Sequence, residues 1–299
     1  MRNYPAKLLL FGEHVLLLGA SALAVPVPSF YGKWATGTPE NLFANRRDKL
    51  LQLAESESLR SIDGLDTRRL KAEVEAGLYF QSNIPTGYGL GSSGALCAGI
   101  YDRYMAEKTS DLTLLKDIFG RMESHFHGSS SGIDPLTSYL DAPLLIRHKT
   151  EVSVADLKTA PDAPVVFLID TQTPRQTGPL VRWFLEQSRT PDFAAKLSET
   201  LLPAHEAMVQ AWLDADTSGF WIHLHTVSQF QFEHFHPMIP ASLHSLWKQS
   251  LDLGDVQLKV CGAGGGGFML GFARNRAVVD ALSENHSILY PFNPGASHG

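Results

Sequence analysis

Only two cysteines occur among the 299 residues, Cys97 and Cys261, and they lie far apart. They make neither a disulfide framework nor a zinc spacing, which fits a reducing compartment and a cytoplasmic protein. Basic charge is also short, with 25 Lys and Arg against 31 Asp and Glu, a formal net charge of −6. No surplus exists to neutralise a phosphate backbone, so a nucleic-acid partner is not expected. Long apolar runs are missing too. The longest, Leu8–Val27, is interrupted by Glu13 and His14, and what remains falls short of the about 20 residues that span a bilayer. Arg2 and Lys7 before that run, with Ala22-Leu23-Ala24 after it, imitate a secretory leader. The interruption favours two buried strands or a hairpin around Gly12–His14, with no membrane partner. Internal repeats are absent, as are low-complexity segments beyond the glycine run at 262–267, and 44% hydrophobic with 19% charged residues is a globular composition.

Residues 6–11 and 15–18 read as short strands, 45–57 and 67–77 as amphipathic helices, and 77–83 as a strand. Helices are expected from Ala95 to Lys108, with Ser92 or Ser93 as cap, and over 110–127, with Asp111 at its start and Gly128 at its end. Two prolines in the polar stretch 155–164 mark a domain boundary, giving domains 1–160 and 161–299. Strands at 165–170, 256–260 and 268–272 frame helices at about 178–189, 191–214, 218–235 and 240–253. Strands mixed with helices in both halves make the fold class α+β.

Three segments carry chemistry. The first is the glycine-rich Pro85–Ala95, PTGYGLGSSGA, between a strand and a helix. Free N–H groups at a helix start suit phosphate, and glycines let it approach the backbone. Gly89-x-Gly91-x-x-Gly94 also fits a dinucleotide fingerprint, but no strand with a terminal acid follows at the expected distance. The other nucleotide loop, G-x-x-x-x-G-K-[ST], is absent, since Gly32-Lys33 is followed by Trp34. The second segment runs from Glu123 to Asp134. Glu123 with Ser93 offers hard oxygen ligands for Mg²⁺, and Asp134 offers a carboxylate to an acceptor hydroxyl. The third is a second glycine loop, Gly262–Gly267. The pairs His125-x-His127, His223-x-His225 and His234-x-His236 fall in helical stretches, where residues two apart diverge. They read as packing among aromatics rather than as a metal site.

In order and spacing, these segments resemble the galactokinase, homoserine kinase, mevalonate kinase and phosphomevalonate kinase (GHMP) superfamily. Pro5–His14 with Gly19–Ala24 is similar to its first motif, Pro85–Ala95 to its second, and Cys261–Gly267 to its third. Within it, Gly12-Glu13-His14, Glu123…Asp134 and Asp170-Thr171…Pro174-Arg175-Gln176-Thr177 resemble the mevalonate kinases. The resemblance implies an N-terminal nucleotide-binding domain and a ferredoxin-like C-terminal domain, with the active site in the cleft between them. It implies a cytoplasmic ATP-dependent kinase for a small alcohol, with mevalonate phosphorylated on its 5-hydroxyl in isoprenoid biosynthesis. A sugar kinase, a non-catalytic ATP or metabolite sensor and a diphosphomevalonate decarboxylase are the competing readings.

Carried over to this chain, the resemblance makes Asp134 and Lys7 catalytic and Ser93 and Glu123 ligands of Mg²⁺. ATP falls to Gly87, Gly89, Leu90, Gly91, Ser92, Ser93 and Gly94, and to Gly264, Gly265 and Gly266. His14, Arg175 and Thr177 fall to the acceptor. Cys261 departs from the Thr or Ser usual before the third loop, and regulatory inserts of animal members are missing between the first two motifs. A homodimer, or any other oligomeric state, is not legible in one chain.

Overall fold

The computed structural model describes residues 2–37, 44–128, 130–158, 160–173 and 177–292, the side chains of residues 44–46, 127 and 177 excepted. Contacts group the chain into two compact units. The first comprises Met1–Leu8, Val25–Thr86 and Leu90–Ala142; the second comprises Leu9–Ala24, Gly87–Gly89 and Pro143–Gly299.

Two long strands contribute to both units: β1 (Tyr4–Phe11) and β2 (Ala22–Thr36). In the first unit, the far end of β2 pairs antiparallel with β3 (Leu78–Ser82), Gly32 facing Ser82 and Thr36 facing Leu78. Between them run α1 (Ala44–Glu55), α2 (Glu57–Arg60) and α3 (Thr67–Glu75). After β3 come α4 (Ser92–Tyr104), α5 (Leu112–His127) and α6 (Ile133–Leu140), which pack on one another. Asp111 caps α5 as its sequence position predicts, accepting from the Thr113 and Leu114 amides. Buried Leu8, Phe80, Tyr101, Phe119 and Leu136 belong to this unit's core. The Trp34 indole, also buried, donates to the Gly99 carbonyl at 3.0 Å.

In the second unit, the near end of β2 pairs with β4 (Leu144–Arg147), and β4 with β5 (Glu151–Val154). A separate antiparallel sheet is built from β6 (Val165–Asp170), β7 (Val256–Lys259), β8 (Phe268–Ala273) and β9 (Ile288–Leu289). Its spatial order is β7-β8-β6-β9. Read from β9, that is fourth, first, third, second, the antiparallel order of a ferredoxin-like sheet. The helical connection between β6 and β7 holds α7 (Thr177–Gln187), α8 (Pro191–Lys196), α9 (Leu202–Asp214), α10 (Thr217–His234) and α11 (His244–Leu253). The shorter one between β8 and β9 holds α12 (Arg276–Ser283). Pro191 opens α8 at its first turn, where its missing N–H costs nothing. Phe11, Trp212, Phe220 and Phe272 form one aromatic cluster, with ring centroids 5.0–6.0 Å apart.

Three local expectations change. Val15–Leu18 is a 3-10 turn rather than a strand, and its Leu17 and Leu18 are exposed. Gly91, not a serine, is the N-cap of α4, and no side chain caps that helix. Helices α6 and α12 and strands β2, β4, β5 and β9 add to the expected elements.

Candidate active site

The chemistry assembles where α4 and α6 begin. Gly91 has φ +71°, and a Cβ there would lie 3.2 Å from Asp134 Oδ2. A Cβ on Gly94 would lie 2.8 Å from both the Asp134 carbonyl carbon and the Pro135 nitrogen. Only glycines let the two helix starts meet this closely. Gly87 and Gly89 also have positive φ, +84° and +77°, which shapes the loop that leads in. Buried Leu90 accepts the Lys7 amide at 2.9 Å and so ties β1 to the loop. Ser92 opens the helix beside Ser93, and the amides of this first turn have no side-chain cap.

Lys7 is buried, and its Nζ meets Asp134 Oδ1 at 2.6 Å. Asp134 sits in the first turn of α6. Its two oxygens are divided: Oδ1 faces the ammonium, and Oδ2 faces the space that Gly91 leaves by having no side chain.

Glu123, late in α5, is buried. Ser93 Oγ donates to its Oε1 at 2.9 Å, and Ser130 Oγ to its Oε2 at 2.5 Å. Burial, then the charge of Asp134, pushes its carboxyl up to about 7; the two serines and Lys7 oppose the rise. The donor set here is all oxygen, with a carboxylate, which suits a hard cation such as Mg²⁺. Ser130 is a contact the sequence reading missed; its only trace was the serine run before Gly132.

The second glycine loop, Gly262–Gly267, lies in the second unit. Gly264, Gly265 and Gly266 all have positive φ, +77°, +73° and +156°. A Cβ on Gly264 would lie 2.7 Å from Met238 Cβ, and one on Gly265 2.6 Å from Leu180 Cδ1. The Gly265 amide donates to Met238 O at 2.7 Å, and the Gly267 amide to Thr173 O at 2.7 Å. The Gly264 amide donates to Cys261 O at 3.2 Å, so three N–H groups of this loop are used in holding its shape and anchoring it to neighbouring segments. Thr171 donates to Gly267 O through both its amide and its hydroxyl. Tyr88 packs on Phe268 at 4.8 Å between ring centroids, and its hydroxyl bonds Asp170.

His14 is buried, with φ +61°, and its Nε2 lies 3.1 Å from Ala263 O. Phe184 and Phe235 flank its ring, at 5.1 and 6.2 Å. Arg175 lies outside the described residues; Thr177 opens α7, and its side chain is likewise outside them. Cys261 is buried beside the loop. Of the paired histidines, His234 lies against Phe230, at 4.7 Å, as a packing role requires.

Residues 58–141 match the family model of the GHMP kinases N terminal domain. Over those residues the chain matches the GHMP-kinase N-terminal domain, and its fold is that of solved GHMP kinases. Among individual proteins, it is 24% identical over 285 residues to a mevalonate kinase of Archaeoglobus fulgidus, covering 89% of this chain and 90% of that one. It superposes on L. major mevalonate kinase, solved in complex with R-mevalonate, with a TM-score of 0.66 at 17% identity, covering 95% and 90% of the two chains. Streptococcus pneumoniae phosphomevalonate kinase, in complex with phosphomevalonate and AMPPNP, gives a TM-score of 0.64 at 15% identity, covering 95% and 94%. Among the described residues, no helix is long and apolar enough to cross a membrane.

Proposed function

We propose that the protein is an ATP-dependent kinase acting on a small alcohol, with mevalonate as the acceptor and its 5-hydroxyl as the site of phosphorylation. The observation that carries this reading is the divided Asp134 carboxylate. Its Oδ1 is held by Lys7 at 2.6 Å while Oδ2 borders the glycine start of α4. A phosphoryl transition state is loose and highly charged, so positioned charges and dipoles supply most of the catalysis.

In this reading, the uncapped first turn of α4, with Gly91, Ser92, Ser93 and Gly94, cradles the ATP phosphates. Gly87, Gly89 and Leu90 shape its approach, and Gly264–Gly266 steady the transferred group. Ser93 and Glu123 hold Mg²⁺, which offsets negative charge on the phosphate oxygens. Asp134 Oδ2 accepts a hydrogen bond from the acceptor hydroxyl, orients it and takes its proton late. Lys7 pairs with that carboxylate through Oδ1 and fixes its orientation. His14, Arg175 and Thr177 face the rest of the acceptor. The similarity to a curated mevalonate kinase over nine-tenths of both chains favours mevalonate over a sugar.

The test is ADP release from Mg²⁺–ATP with mevalonate, phosphomevalonate, galactose and homoserine offered separately. Turnover on mevalonate alone is the expected result. Turnover on another acceptor discards the substrate, and ATP binding without any turnover favours a metabolite sensor.

A further inference from the structure

Far from the reacting carboxylate in sequence, the second unit buries a complete ion pair. Lys259 Nζ meets Glu13 Oε2 at 2.5 Å, with the two side chains only 1% and 2% exposed. The same Nζ donates to Val260 O at 3.0 Å and lies 6.0 Å from the centre of the Phe11 ring. Taking two charges out of water is costly, and apolar residues of similar volume commonly serve stability as well or better. Stability alone therefore does not account for the pair.

Its neighbours suggest what does. Glu13 directly precedes His14, whose left-handed backbone turns the ring toward Ala263 O, 3.1 Å away. Lys259 ends β7 and leads through Val260 and Cys261 into the Gly262–Gly267 loop. The Val260 amide is held in turn by Gln231 Oε1 at 2.8 Å. The ion pair and the His14–Ala263 bond thus join the same two chain segments at successive points. Apolar contacts tolerate sliding, whereas an ion pair with one carboxylate oxygen and one carbonyl fixes a register.

We infer that Glu13 and Lys259 are positioning residues: they set His14 and the Gly262–Gly267 loop in register with each other, and so fix the acceptor side of the site. The inference rests on the proposed role of His14. Neither residue is placed against the reacting atoms.

The test replaces the pair by apolar residues of similar size, E13L/K259M, in the full-length protein. The double variant is expected to keep a wild-type or higher melting temperature. Its acceptor KM is expected to rise on the order of tenfold to a hundredfold, the cost typical of a small misplacement. The His14 ring ¹H–¹³C resonances, assigned with H14N and read without substrate, are expected to shift. Unchanged KM and unchanged His14 resonances in the folded double variant would overturn the inference. Should the double variant not fold, K259R keeps the charge but alters the geometry; moved His14 resonances support the pair's role, and unmoved ones refute it. If no acceptor turns over even in the wild type, the kinase reading fails, while the His14 resonances still decide this one.

Discussion

Glu123 shows how burial and a neighbouring carboxylate prepare a group at the scale of one residue. Its carboxyl titrates near 4.5 when free and at about 7 in the fold. Between those values the folded chain holds a proton that the unfolded chain has released. Its contribution to stability is therefore full below 4.5 and declines as the pH rises through 7. E123Q keeps a carbonyl acceptor for one serine hydroxyl, turns an amide donor to the other, and removes the titration. We expect the urea midpoint of the ligand-free wild type to fall between about pH 5 and pH 8 relative to that of the variant. Parallel pH profiles for the two proteins would contradict the assignment. Asp134 and Glu123 were legible in the sequence as residue types at a suggestive spacing. Ser130 was not, because a hydroxyl seven residues from its partner announces nothing until α5 ends and the chain turns back.

At the element scale, glycines decide how closely helices start against one another. Gly132 has φ +73°, and a Cβ there would lie 2.1 Å from Lys116 O of α5. Gly128 has a similar φ, +74°, with nothing within 4 Å. G132A thus adds a steric clash to left-handed strain and is expected to cost about 3 kcal/mol. G128A carries the strain alone, about 1 kcal/mol. Urea unfolding of both variants checks the difference, and equal losses would refute the steric argument. The same scale explains what the pattern hid. Val15–Leu18 reads as apolar and strand-like, yet Gly12 and Gly19, at φ +109° and +100°, bracket it as a turn. Strand β2 holds Pro26 and Pro28, residues that argue against a long strand from sequence alone. Helix α6 was hidden by Pro135, which sits harmlessly in its first turn.

For the whole molecule, the three motifs were readable in order, and with them the GHMP-kinase fold. The α+β mixture was equally plain, because short strands bounded by glycine alternate with capped helices. Long-range pairings were not: nothing local in Lys259 or Glu13 points across the 246 residues that separate them. A ligand that binds only the folded chain stabilises it by mass action, about 2.7 kcal/mol at a hundred times its Kd. Mg²⁺–nucleotide at that concentration is expected to raise the melting temperature by roughly 4 °C, and S93A to diminish the rise. An equal rise in S93A would remove that serine from the nucleotide site.

The central claim is that Asp134 acts on the acceptor and not on ATP. The most direct test compares wild type with D134N for ADP release from Mg²⁺–ATP and mevalonate, with nucleotide Kd measured on the same preparations. The account predicts that D134N loses most of its turnover while its nucleotide Kd stays near the wild-type value. Near-normal turnover in D134N would contradict it.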